Sequence, residues 1–447
     1  MNHRRALIGV TVLMVAVTGC SRFDRSGDPS PDPPQSAAPT ASSIDRLVED
    51  IGRSMVLVET PLATGSGLVL PGPVLVTTAH VVWPYQAADV RFPDGTTSKE
   101  LVVIAVDWVA DLAVIDLSTA DDPRLTPLTG APPPAPGDPV YLVGFPARGD
   151  AGPVIVSGIL SGSRSWPEAG LDYLESDAVV EGGHSGGALV DGDGRLLGIT
   201  GIELGDRGAL ALAFDDLSTR VQALMDGRDI DGVGDRWIVD LNTGPGPEPE
   251  TRNLLDEVSW VFEATAGADV DLQSSPPGLL SGSIVGPDGF LETTLAESSM
   301  AFTPTFSGPH FATLVPGSAA GTTIELTGEP TLTRLIDPDH GRAIERGDLV
   351  FGNVDRPGDL DWYTIELEAG ETIDVSASSP NADTALFIGP ADALDGPDAR
   401  RSSDGAGGVL GSDARLSYTA RRAGMHIVAV YDETHFGPGA YALTVAR

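Results

Sequence analysis

Ser185 sits in a run of glycines, Gly182-Gly183-His184-Ser185-Gly186-Gly187, with Asp177-Ala178-Val179-Val180-Glu181 before it and the apolar Ala188-Leu189 after it. Glycines let a backbone take positive φ and turn successive N–H groups into one concavity. A serine in such a turn is exposed for nucleophilic attack, and neighbouring amides can stabilise the oxyanion that attack creates. An incidental serine in a glycine-rich turn would look the same, so the chemistry also needs a base and a carboxylate. His80, in Thr77-Thr78-Ala79-His80-Val81-Val82, and Asp111, in Asp107-Trp108-Val109-Ala110-Asp111-Leu112-Ala113-Val114, lie upstream in that order. Taken singly, His80 reads equally well as a neutral core residue and Asp111 as a turn carboxylate. Asp107 is a second candidate for the acid.

The elements that must carry these residues are short. Residues 55–59, 66–70, 74–78, 90–92, 101–106 and 112–117 are rich in Val, Leu and Ile and are separated by Gly, Pro or Asp. That pattern predicts strands of an antiparallel barrel or sandwich, preceded by a short amphipathic helix over 44–51. The expected fold class is all-β.

With these motifs on the page, the segment resembles the trypsin-like (chymotrypsin-fold) serine proteases, closest to the bacterial HtrA/Deg branch. Thr78-Ala79-His80, Asp111-Leu112-Ala113-Val114 and Gly183-His184-Ser185-Gly186-Gly187 match the family pattern in its order. The resemblance implies a chymotrypsin-like double β-barrel over residues 44–228, acting on protein or peptide substrates without a cofactor or metal. Ser185 would be the nucleophile, His80 the base and Asp111 the residue that orients the imidazole, with the Gly183 and Ser185 amides as oxyanion hole. The next strand positions after Asp107 are Trp108 and Val109, where the family has a small residue. His184 stands where relatives carry Asn or Asp, so activation by pairing a freed amino terminus with that carboxylate is not expected. Val179, six residues before the nucleophile, would floor the primary specificity pocket, with Thr200 and Gly201 in its wall strand. An apolar floor implies preference for small or aliphatic residues.

Residues 1–19 read as a signal peptide: Arg4 and Arg5, then an apolar run too short to span a bilayer. Val17-Thr18-Gly19-Cys20 resembles a lipobox, which implies acylation of Cys20, the sole cysteine, and attachment to a membrane in the cell envelope. Residues 20–43, rich in Pro, Ser, Asp and Ala, read as a disordered tether spanning roughly 25 Å. The formal net charge is −37 and Lys99 is the only lysine, which argues against nucleic acid as a partner.

Beyond Gly232 the chain repeats itself. Residues 260–272 parallel 362–375 with one gap, and 302–314, carrying Ser307-Gly308, parallel 416–430, carrying Ala423-Gly424. The second copy resembles bacterial pre-peptidase carboxy-terminal (PPC) domains in Asp359-Leu360-Asp361-Trp362, Ala369-Gly370, Asp383-Thr384-Ala385-Leu386 and Ala423-Gly424-Met425-His426-Ile427. Two β-sandwich (jelly-roll-like) domains are therefore expected, over 235–330 and 340–447, with Trp362 and Tyr441 in their cores. Asp359, Asp361, Asp383 and Asp404 have the chemistry of a calcium site, but turn carboxylates are common in so acidic a chain, and no metal is expected. The alternative to an endopeptidase is a catalytically silent binding protein or adhesin built on the same scaffold.

Overall fold

The apolar runs form strands that close into barrels. In the computed structural model, β1 (Met55–Glu59), β2 (Thr64–Leu70), β3 (Val74–Thr77), β4 (Ala87–Arg91), β5 (Thr97–Asp107) and β6 (Leu112–Asp116) close in the order β1-β2-β3-β6-β5-β4. A second closed barrel follows: β7 (Pro139–Gly144), β8 (Val154–Trp166), β9 (Leu171–Ser176), β10 (Ala188–Val190), β11 (Leu196–Glu203) and β12 (Ala209–Ala213), ordered β10-β11-β12-β9-β8-β7. Closure leaves neither sheet an open edge. Two helices interrupt the strands, the one-turn α1 (Ala79–Val82) and α2 (Phe214–Met225), which buries Leu217 and Val221. Val76, Val109 and Leu112 of the first barrel share one apolar core with Tyr141, Val143 and Leu212 of the second. The fold is a chymotrypsin-like double barrel followed by β-rich sheets, as the sequence predicts.

The structure describes residues 47–447 except 48, 62, 73, 84, 118–124, 147–151, 180–181, 205–207, 229, 232–250, 253–257, 276–279, 288–290, 296–298, 317–321, 324, 336–338, 340, 355–358, 381, 394–396, 403–413, 433–438 and 447. The expected signal peptide, Cys20, the tether, Val180, Glu181 and Asp404 lie outside the described residues. The described residues fall in one compact unit, Ala41–Arg447. Among them no helix is long and apolar enough to cross a membrane.

The internal repeat has a structural counterpart. Val258–Ala264 pairs antiparallel with Gly308–Pro316, and Leu360–Leu367 with Gly424–Asp432. In each pair the register ends on a glycine with left-handed φ, +135° at Gly308 and +136° at Gly424. Two residues on, His310 and His426 set Nδ1 2.9 and 2.8 Å from the carbonyls of those glycines. In the second copy a five-stranded and a four-stranded sheet enclose Tyr441, which is fully buried, and Trp362 is 6% exposed. The Tyr441 hydroxyl donates to Asp361 Oδ2 at 2.6 Å, so that carboxylate, also fully buried, serves the core.

Candidate active site

Asp111 occupies the turn between β5 and β6, and α1 starts where β3 ends. The two meet through the backbone first: the Ala79 amide donates to the Asp111 carbonyl at 3.1 Å, and the His80 amide to Asp111 Oδ1 at 3.0 Å. Oδ2 then lies 2.7 Å from His80 Nδ1, with 14% and 25% of the two side chains exposed. A carboxylate at Nδ1 places the proton there and leaves Nε2 as the basic nitrogen. Asp111 holds φ +53°, left-handed for a non-glycine residue, a cost of about 1 kcal/mol or more that the surrounding contacts must offset.

Asp107, the competing carboxylate, does different work. Its Oδ1 accepts from the Ala110 amide at 2.9 Å and its Oδ2 from Arg220 at 3.1 Å. It shapes the turn that presents Asp111. Tyr173 packs behind that turn, its hydroxyl pushed far up in pKa by burial first and by the Asp111 and Asp107 charges second.

The nucleophile loop is clamped from both barrels. Gly183 and Gly186 have φ of +101° and +81°. A Cβ on Gly186 would stand 2.0 Å from the Ser66 carbonyl oxygen, so only glycine fits there. The Gly186 amide donates to Thr200 O at 2.7 Å, and the Ser66 amide to Ser185 O at 2.7 Å. Ser66 Oγ donates to Gly183 O and accepts from the Phe145 amide, each at 2.8 Å. Gly65 lies between the helix carrying His80 and the loop carrying Ser185: its Cβ would come 2.6 Å from a Val81 methyl and 2.9 Å from Ser185 O. The loop carrying Ser185 and the helix carrying His80 thus approach Gly65 together, and a serine hydroxyl brought to a histidine so oriented would have the parts of base-assisted attack.

His184 turns inward, 3% exposed, against Gly144. The residues expected around the specificity pocket occupy three different settings. Val179 is 51% exposed. Thr200 is buried, and its hydroxyl donates to His184 O at 2.7 Å, bracing the nucleophile loop. A Cβ on Gly201 would stand 3.3 Å from Asp111 Oδ2, so Gly201 backs the carboxylate. Ser66 escaped the sequence reading. In the sequence it is only a serine between two glycines, Gly65-Ser66-Gly67, and its burial is seen only in the structure.

Residues 65–199 match the family described as "Trypsin-like peptidase domain". Among curated proteins, the chain is 33% identical over 166 residues to mitochondrial serine protease HTRA2 of Bos taurus, covering 36% of each chain. It is 28% identical over 243 residues to the serine endoprotease DegS of Salmonella typhimurium, covering 50% of this chain and 66% of that one. The chain therefore spans about a third to two thirds of the length of these relatives. Among solved structures, the serine endoprotease from Yersinia pestis aligns with TM-score 0.36 and 26% identity, over 43% of this chain and 69% of that one.

Proposed function

We propose that this chain, whose residues 65–199 are a trypsin-like peptidase domain related to the HtrA/Deg serine proteases, is an endopeptidase working through an acyl-enzyme. The observation that carries the reading is the Asp111–His80 pair at 2.7 Å meeting the Ser185 loop across Gly65. Ser185 Oγ bonds to the scissile carbonyl carbon while its proton passes to His80 Nε2. The amides of Gly183 and Ser185 are the donors assigned to the resulting oxyanion, worth several kcal/mol of barrier. Collapse breaks the C–N bond, and the leaving amine takes the proton from His80. Water then gives its proton to His80, attacks the ester and releases the acid, restoring Ser185.

The apolar Val179, at the position the resemblance assigns to the pocket floor, is the basis for a preference for small or aliphatic side chains at the cleaved bond. Acylation at Cys20 would hold the enzyme at a membrane in the envelope by the tether, and the last two pairs of sheets would be PPC-like modules. The test is labelling of the protein truncated before Cys20 with a fluorophosphonate, beside Ser185→Ala and His80→Ala. Labelling of the native form alone is expected. A folded protein that stays unlabelled at neutral pH would support the silent scaffold instead.

A further inference from the structure

The last pair of sheets is packed into the second barrel. Trp166, at the end of β8, is 1% exposed. Its Nε1–H donates to Ser378 Oγ at 3.0 Å, and its ring meets Phe351 edge-on, centroids 6.2 Å apart. Ala440 and Ala442 join the core that holds Tyr173 and Leu212. Two residues beyond Ser378, the buried Pro380 reaches a cavity of about 20 Å³ whose other walls include Thr78, Ala110, Asp111, Tyr173 and Gly201. That volume suits a single water. Thr78, which also lines the cavity, is 2% exposed and sets its methyl 3.3 Å from where a Cβ on Gly201 would stand.

We propose that Pro380 is a positioning residue for the triad: from the last sandwich it completes the wall behind Asp111 and limits water on that side of the Asp111–His80 pair. The pull of a carboxylate on an imidazolium weakens as the medium between and around them becomes more polar. A proline suits this wall because its ring presents apolar atoms to the cavity and fixes its φ. Among the described residues, Tyr173 stands beside Asp111 in this wall, and Asp107, Arg220 and Asp216 act on Tyr173. Pro380 carries no charge, so replacing it with another uncharged residue alters the medium of the pair without adding or removing a charge. The peptidase domain and its last sandwich then form one catalytic unit.

The effect on rate rests on the proteolytic reading, but the effect on His80 does not. The test is an NMR titration of carbon-13 histidine in the full chain, with the His80 signal assigned by its loss in His80→Gln. Fluorophosphonate labelling is followed against pH on the same proteins. Pro380→Gly admits water behind Asp111, and the His80 pKa is expected to fall by roughly half a unit or more. Labelling of Ser185 is expected to slow by about tenfold. Pro380→Val, which refills the wall, restores both. An unchanged His80 titration in Pro380→Gly, or a Pro380→Val that behaves like Pro380→Gly, overturns the proposal. If Pro380→Gly does not fold, Trp166→Phe, which removes the hydrogen bond to Ser378, decides by the same criterion: a lowered His80 pKa supports the proposal and an unchanged one overturns it. A wild type that titrates as expected but never labels would sink the proteolytic reading and leave the wall standing.

Discussion

Asp111 grips His80 at two points, Oδ2 at 2.7 Å from the ring Nδ1 and Oδ1 at 3.0 Å from the main-chain amide. One contact sets the tautomer and the other fixes the helix that carries the ring. The carboxylate is therefore an orienting group for the whole of α1, and its charge and its shape have separable roles. Asparagine keeps the shape. Its amide group presents an N–H₂ or an oxygen to Nδ1, never the full negative charge that favours the imidazolium.

Asp111→Asn is accordingly expected to fold with little change in melting temperature and to lose about 10³–10⁴-fold in fluorophosphonate labelling rate. Thermal melts and labelling on the same preparation check both halves. A variant that labels at the native rate would remove Asp111 from the mechanism.

Ser66 couples the barrels at the nucleophile, its hydroxyl bonded to Gly183 O and to the Phe145 amide in a fully buried position. Ser66→Ala strands both partners, each at about 1–3 kcal/mol. The expected outcome is a lower melting temperature together with slower labelling of the protein that remains folded, since Gly183 belongs to the assigned oxyanion hole. Normal labelling with lowered stability would confine Ser66 to the fold.

How much of this was legible follows from where partners lie in the chain. His80, Asp111 and Ser185 could be read because each brings its local requirement with it: a small residue before the histidine, an apolar strand after the aspartate, glycines around the serine. The barrel strands could be read from β-branched runs between turn residues. Ser66 could not, because Gly183 is 117 positions away. The same holds for Arg220, 113 positions from Asp107, and for Trp166, 212 from Ser378. The motif favours Asp111 over Asp107, but that Asp111 faces a histidine and Asp107 an arginine is seen only in the structure. Thr200 and Gly201 sit on the expected strand, but which neighbour each presses against depends on the pairing of β11 and on the loop beneath it.

The Asp107–Arg220 pair is nearly sealed, with side chains 8% and 6% exposed, and Arg220 also bonds Asp231 and the Ala169 carbonyl. Breaking one side of a buried pair costs about 3–5 kcal/mol because the remaining charge stays out of water. Asp107→Asn retains an acceptor for the Ala110 amide, and Asp231 still faces the guanidinium, so a loss near the lower figure is expected. Chemical denaturation measures it. Labelling per folded molecule should remain within severalfold of wild type, in contrast to Asp111→Asn. A collapse of labelling as deep as that of Asp111→Asn would make Asp107 the orienting acid.

Glu263, on the strand Val258–Ala264, faces the first barrel at Tyr85, and the same seam stacks Trp83 on Phe311 with centroids 5.4 Å apart. Partial desolvation raises the Glu263 carboxyl above its ordinary 4.5 although the residue is exposed, and the Tyr85 hydroxyl is pushed up by burial and then by that carboxylate. An acid whose folded pKa is raised favours folding in its protonated form. Its penalty is absent below the unfolded value, grows as pH climbs through the interval between 4.5 and the raised value, and is complete above it. Glu263→Gln removes the ionisation and keeps the size. It is expected to raise the melting temperature at pH 7 and to leave it unchanged below about pH 4, where wild type is already protonated. Melting curves at the two pH values decide. An equal gain at both would trace the effect to amide hydrogen bonding, and a loss at pH 7 would mean that the carboxylate is favourably placed against Tyr85.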